Sequence, residues 1–591
     1  MPELTSGSPL RDLKNLNEDT IKEGDLHRLP HMTSWFEPVL LLKLLLRVIV
    51  SDIFGQYADR RLMEAALDPA SKEDHVTRAQ IEPIVQDEDG AVWIDYVSDL
   101  GDGFDATYAI AFLLAQPMLS VDGHQLPRAG LLVMGGDQVY PTALRDDYKI
   151  KMRLPYDLAW PVPRGAEKTP LFLLPGNHDW YDGLVTFLSI FCREKPTKIG
   201  GWSTRQRRSY FAVQVTENWW IWGIDIALVR DMDQPQADYF VAIAKAMPEN
   251  ANIILCSAEP GWYKAEAKGD SYRTLSYAAQ IARNARKHLR IPLVLSGDSH
   301  HYARYEGDGT HYITSGGGGA FLHGTLELQP EIKAEWLQSA KEALTLRACY
   351  PSKQMSDKLL KGDMDFGRLN GGLTWALSAL YLVFSFLLTY TWRADVAVGI
   401  FLVLLAGFWG YSLYQEGSWK KTAIPSIAHA SAHWIVVAAF SWSALWANHA
   451  VMGDFEWHWI AWLLVLAVPI FLLGPWLAGK IYGISLMLGC RYFDISHNDA
   501  FSAMKLDSHR HFLRIRLKGD AATVFPVKLE KVPAREQWRA NPERKTDPSV
   551  SVFASDPQLS PQMLEEPISI LARAAASTSD VKTPGEMPSK S

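Results

Sequence analysis

Leu171-Phe172-Leu173-Leu174-Pro175-Gly176-Asn177-His178-Asp179-Trp180 is the stretch whose reading decides the fold. An apolar run of strand length breaks at Pro-Gly and delivers an amide, an imidazole and a carboxylate in consecutive positions. Three other apolar runs end in the same way. Residues 92–97 lead into Ser98-Asp99-Leu100-Gly101-Asp102, residues 131–134 into Gly135-Gly136-Asp137, and residues 291–296 into Gly297-Asp298-Ser299-His300-His301. One such corner is an ordinary turn, whereas four predict a site. Asp99, Asp137, Asn177, His178, Asp298 and His300 form a mixed set of oxygen and imidazole groups of the kind hard or borderline divalent metals take. Carboxylates gathered without cations would repel one another, and two metals sharing a carboxylate are the usual device for in-line attack on phosphorus.

Working outward, residues 91–325 alternate short apolar strands with polar or helical segments. Further strands are predicted at 210–215, 219–225, 252–257 and 311–315, with helices at 237–246 and 273–287 between them. This alternation argues an α/β domain, and ligands in such folds gather beyond the carboxyl ends of the strands, where all four corners lie. The run Ser315-Gly316-Gly317-Gly318-Gly319-Ala320 requires either positive φ or close backbone approach and is placed beside the same cleft.

The chain has 591 residues, too many for one compact core. Its net charge of −7 offers no attraction for nucleic acid. Cys192, Cys256, Cys349 and Cys490 are scattered without a Cys-x-x-Cys pair, which excludes a disulfide framework and fits a reducing compartment. The expected domains are a polar leader at 1–33, an amphipathic helix at 34–60, a catalytic domain at 85–330, a helical connector at 331–370, a transmembrane domain at 371–480, a small cytosolic module with a β-hairpin at 481–532, and a disordered tail at 533–591. In the helix, Lys43 and Arg47 fall on one face. It reads equally as a core helix or as an interfacial one with snorkelling cations.

Charged residues are thin between 373 and 477, where many of the 22 Trp lie. Four spans are predicted, at 373–392, 395–414, 425–447 and 459–478, each near the ~20 residues a hydrocarbon core requires. Trp375, Trp392, Trp419, Trp457, Trp459 and Trp476 flank them as interfacial aromatics do. Lys358, Lys361, Arg368, Lys420, Lys421, Lys480 and Arg491 border the same side, which places both soluble parts in the cytoplasm. The expectation is a multi-pass protein, of the bacterial inner membrane type, with the lipid bilayer as its partner. The sequence leaves its oligomeric state open.

The order Asp-x-x, Gly-Asp, Gly-Asn-His-Asp, Gly-x-x-His resembles the calcineurin-like metallophosphoesterases, whose pattern is Asp-x-His, Gly-Asp, Gly-Asn-His-Asp/Glu, a lone His, and Gly-His-x-His. Gly176 to Asp179 and Gly136-Asp137 match it. The resemblance covers residues 90–325 and implies a β-sandwich flanked by helices. It further implies that Asp99 and His300 hold one metal, Asp137 bridges, and Asn177 holds the second, with Asp298 as a replacement ligand. His178 would stabilise the transition state or protonate the leaving group, Asp179 would orient His178, and water activated by the ions would be the nucleophile. Three imidazoles of the pattern are missing, at Gly101, Ala258 and Asp298. Asp102, Glu259 and His301 are further ligand candidates, and such an oxygen-rich set favours Mn²⁺ or Mg²⁺, with Fe and Zn open.

The implied function is a membrane-anchored phosphoesterase acting on a phosphomonoester or phosphodiester, with a lipid-linked substrate suggested by location. The alternative is a metal-poor pseudo-enzyme that binds or senses. A third reading takes His429 and His433, four apart in the third span, as an intramembrane transport or redox site, although a His there can equally bond a neighbouring helix. His449 and His458 lie beside the spans, and His497, His509 and His511 read as surface histidines.

Overall fold

The computed structural model describes residues 13, 15–44, 71–81, 84–162, 168–226, 231–262, 273–307, 309–332, 343–453 and 458–571. Arg47, Trp457, most of the 34–60 helix and the end of the tail lie outside these residues.

Two sheets face each other. In the first, Val92–Val97, Leu131–Met134, Thr169–Leu173 and Trp202–Thr204 run parallel in that order. In the second, Trp219–Ile224, Asn252–Ser257, Arg290–Ser296 and Thr310–Ser315 do the same. Their near-continuous apolar runs are what strands covered on both faces need. Ile94, Tyr96, Val133 and Phe172 of the first sheet pack against Ile221, Ile254, Leu293 and Ile313 of the second in one inner core. The helices Phe104–Ala115 and Val185–Phe191 cover the outside of the first sheet, and Gln234–Ala246 and Arg273–Ala285 cover the outside of the second. This is the α/β class the residue pattern predicted and the sandwich the family resemblance implied.

The segments placed outside this domain depart most from expectation. The hairpin Arg510–Lys518 and Ala521–Leu529 is not a separate module. It extends the first sheet, with Arg510–Lys518 antiparallel to Val92–Val97, and sends Leu513, Ile515 and Leu517 into the inner core. In the tail expected to be disordered, residues 538–571 contribute strands. Ile568–Leu571 pairs with Ala521–Leu529, while Trp538 and Phe553 join the outer core. Within the connector, Leu344–Tyr350 is a strand of the second sheet rather than a helix. The leader is also seated, because Arg535 donates to the Leu26, Leu29 and Pro30 carbonyls while pairing with Asp105.

Among the described residues, four helices, Gly371–Thr391, Ala394–Glu416, Trp419–Val451 and Trp459–Phe493, are long and apolar enough to cross a membrane. A separate cluster joins their near end to the sandwich. Phe36 of the leader, Leu322 beside the glycine run, Phe366 of the connector, Leu486 late in the fourth helix and Phe501 pack together.

Candidate functional site

The four corners converge. The Asp99 amide donates to the Gly136 carbonyl (3.0 Å), Leu100 to the Asp137 carbonyl (2.8 Å), and His178 N to Asp137 Oδ1 (2.9 Å). From the other sheet, the Asp298 amide donates to both Asp99 oxygens at 3.1 Å. Asp99, Asp137 and Asp298 all hold left-handed backbone, with φ of 62°, 43° and 63°. Such conformations cost of order 1–3 kcal/mol each, and they concentrate at functional sites.

At the centre stands a residue the sequence reading missed. The Tyr140 hydroxyl lies 2.9 Å from Asp99 Oδ1, 3.0 Å from Asp137 Oδ2 and 2.9 Å from His300 Nε2. His300 Nδ1 sits 2.7 Å from the Phe321 carbonyl, so that nitrogen carries the proton and Nε2 is an acceptor. One hydroxyl proton therefore faces three acceptors, a local shortage of positive charge. Burial pushes the Asp99 carboxyl up to about 7, with Asp298 adding repulsion. Burial and the charge of Asp99 raise Asp137 as well. Nearby, Asn177 Oδ1 is buried with no hydrogen-bond partner. An orphaned amide oxygen beside carboxylates short of a cation is a donor set that fits a hard divalent ion. Among the described residues, however, no three His, Cys, Asp or Glu side chains converge well enough to hold a metal by themselves. Only with the Tyr140 phenol and the Asn177 amide included does the set become dense. The sequence signal was present in Asp137-Gln138-Val139-Tyr140, where a tyrosine three residues past the acid returns to the same pocket.

His178 lies on the cavity, its Nδ1 at 2.9 Å from the Pro141 carbonyl, so Nδ1 donates and the lone pair is on Nε2. Burial lowers its pKa to about 4. Asp179 was expected to orient this imidazole and does not. Its carboxylate instead receives Gly176 N (2.9 Å), Gln138 N (3.2 Å) and the Tyr148 hydroxyl, which makes it the clamp of the turn carrying Asn177. Asp102 accepts from Thr33 N (3.0 Å) and Phe321 N (3.3 Å), ties the leader to the glycine-run loop, and is not among the cavity-lining residues. His301, buried and bonded at Nδ1 to the Gly324 carbonyl, supports that loop. Glu259 is not among the cavity-lining residues, whereas Asp298 and His300 are.

One of the three missing imidazoles has a steric reason. Gly101 has φ of +59°, and a Cβ there would lie 2.5 Å from the Gln138 carbonyl, so the backbone excludes a histidine. Ala258 packs on Gly136, whose own Cβ would sit 3.0 Å from that of Ala258. In the glycine run, close approach rather than positive φ is the requirement, since a Cβ on Gly316 would lie 2.6 Å from Asp99 Oδ2.

His509 and His511 are buried rather than on the surface, because the hairpin joins the sheet and brings His511 against Gly317. In the span bundle, His433 Nε2 and His429 Nε2 are 3.0 Å apart, and His433 Nδ1 meets the Tyr381 hydroxyl, apart from the four corners.

Residues 92–302 match the family model of the calcineurin-like phosphoesterases, so this segment is a calcineurin-like phosphoesterase domain, here accompanied by four membrane-length helices. Among solved structures, that of GAP50, the anchor in the inner membrane complex of Plasmodium, is similar over 43% of this chain and 78% of its own, at 15% identity and a TM-score of 0.29. No curated protein matches the chain.

Proposed function

We propose that the chain is a membrane-anchored, divalent-metal-dependent phosphoesterase with its soluble parts on the cytoplasmic side, hydrolysing a phosphomonoester or phosphodiester. The observation that supports this reading is the Tyr140 hydroxyl shared by Asp99, Asp137 and His300, beside the unpaired Asn177 oxygen. Asp99, Asp137, Asn177, Tyr140 and His300 would hold the ions, with Asp298 at the rim, and the oxygen-rich set favours Mn²⁺ or Mg²⁺. When bound, the ions lower the pKa of water and neutralise phosphoryl charge. His178 waits neutral, with Nε2 free to accept a proton. An arriving phosphoryl anion favours its protonated form, and the Pro141 carbonyl keeps Nδ1–H engaged, so Nε2 takes up the proton that the attacking water loses and passes it to the departing oxygen. Asp179 holds the turn that presents Asn177 and His178.

Asp137→Ala and His178→Ala should each abolish Mn²⁺-dependent hydrolysis of an aryl phosphodiester by the detergent-solubilised full chain. Equal activity, or equal inertness across metals, in wild type and variants would defeat the reading. The second reading, a metal-poor binding or sensing domain, draws support from Gly101, where a Cβ would lie 2.5 Å from the Gln138 carbonyl. Elemental analysis separates the two, because about two metals per chain are expected of the enzyme and none of the sensor.

A further inference from the structure

The site opens into a cavity of about 460 Å³ that is also lined by the end of the second membrane-length helix and by the short helix that follows the fourth. Asp137, Asn177, His178 and His300 form its floor. Opposite stand Tyr411 and Glu416 at the end of the second span, and His497 and Asp499 in the helix following the fourth. Trp35, Phe36 and Leu41 of the leader close one side. Phe36 packs on Phe366 (5.2 Å) and on Tyr482 of the fourth span (5.8 Å), and Glu37 lies against Gly372 at the start of the first span. The helical segment 38–44 therefore leaves the cavity at the level where the spans begin. There it carries Val39 and Leu42 at 57% and 60% exposure, an apolar surface suited to lipid.

The charge of the walls is as informative as their position. Among the described residues lining the cavity there is no Lys or Arg, while Glu327, Glu416 and Asp499 stand away from the floor. Glu416 accepts from Ser496 N (2.8 Å), and Asp499 accepts from the Tyr411 hydroxyl (3.0 Å). Burial pushes the Asp499 carboxyl up to about 6, and the Tyr411 hydroxyl bond opposes that shift. A ligand with a second phosphate would meet these acids unshielded at short range. A ligand with one phosphoryl group and an ammonium group would place the anion on the floor, where the Trp35 ring lies 5.8 Å from that of His178, and the cation among the acids and the Tyr411 ring, since aromatic faces attract cations.

Resting on the phosphoesterase reading above, we infer that the substrate is a membrane lipid whose phosphodiester bears an ammonium headgroup, drawn into the cavity from the bilayer along the 38–44 segment. Hydrolysis adds water across the ester. The water oxygen bonds phosphorus, the P–O bond to one alcohol breaks, and that alcohol leaves with a proton, giving a phosphomonoester.

The test uses the full chain in mixed micelles with Mn²⁺. It compares phosphatidylethanolamine, phosphatidylglycerol, water-soluble glycerophosphoethanolamine and an aryl phosphodiester. Expected are a His178-dependent rate on the aryl ester and a kcat/KM for phosphatidylethanolamine at least tenfold above that for phosphatidylglycerol and for the soluble diester. Glu416→Gln, and separately Asp499→Asn, should collapse the headgroup preference toward unity in protein whose thermal midpoint matches wild type. Hydrolysis of the aryl ester with no preference for phosphatidylethanolamine overturns the substrate assignment and leaves the enzyme reading standing. A soluble diester turned over as well as the lipid overturns the bilayer route, and inertness toward every ester overturns both readings.

Discussion

Arg514 lies on the C-terminal hairpin, 419 residues from its partner Asp95 on the first strand of the catalytic sheet. The guanidinium grips both carboxylate oxygens, at 2.7 and 2.8 Å, and also donates to the Leu126 carbonyl at 3.0 Å. The two side chains are 0% and 4% exposed, so neither is solvated. Burial pushes the Asp95 carboxyl up, and Arg514 opposes that shift. Removing Arg514 therefore strands a buried charge, and breaking such a pair from one side costs about 3–5 kcal/mol. With a urea m-value of about 3 kcal/mol/M for a unit of this size, Arg514→Leu should lower the unfolding midpoint of the soluble part by roughly 1–1.7 M. The double variant Asp95→Leu/Arg514→Leu, which removes both charges, should recover much of the loss. Urea titration of the full chain in detergent, followed by near-ultraviolet circular dichroism, checks both values. Since Val92–Val97 runs directly into Asp99, aryl phosphodiester hydrolysis should fall in parallel with the midpoint. A midpoint within 0.3 M of wild type (roughly 1 kcal/mol at that slope), or a double variant as weak as the single one, would refute the argument that the hairpin belongs to the catalytic sheet.

Three further outcomes follow from the same structure. Asp179→Asn should weaken metal binding by about 10–100-fold, as loss of a supporting partner does, read by titration calorimetry with Mn²⁺; an unchanged affinity would mean that the Gly176 turn holds without its clamp. Burial raises the Asp157 carboxyl to about 6 from an ordinary value of 3.8, so the folded state prefers it protonated. Its contribution is full below about pH 4, is lost as pH rises toward 6, and reaches a deficit of at most about 3 kcal/mol above that. Asp157→Asn should therefore stabilise the protein at pH 8 and leave it nearly unchanged at pH 4, as thermal midpoints at the two values would reveal. Phe36→Ala, which empties the contact with Phe366 and Tyr482, should cost about 3–5 kcal/mol locally and raise hydrogen exchange in residues 26–37; unchanged protection there would show the leader is not anchored at the spans.

The α/β order, the four reactive corners and the four membrane-length helices were legible in the sequence, because each is a local signal. A strand covered on both faces must be apolar throughout, a turn needs its Gly and Pro, and a bilayer span needs its length. The strands Val92–Val97 and Asn252–Ser257 are as predicted from composition alone. What tertiary structure decided is what depends on residues distant in the chain. The pairing of Arg510–Lys518 with Val92–Val97, the Arg535 clamp on the leader and the Phe36 contact with the fourth span all join segments hundreds of residues apart, and no periodicity encodes such a partner. The same holds within the site. A sequence shows that Asp102 and Asp179 are acids near a corner, but only the fold turns Asp102 toward Thr33 and Asp179 toward Gly176, and brings the Tyr140 hydroxyl between Asp99, Asp137 and His300. Residue types and their spacing follow from local chemistry, whereas the direction in which a buried polar side chain points is set by whichever unsatisfied group the folded chain places within its reach.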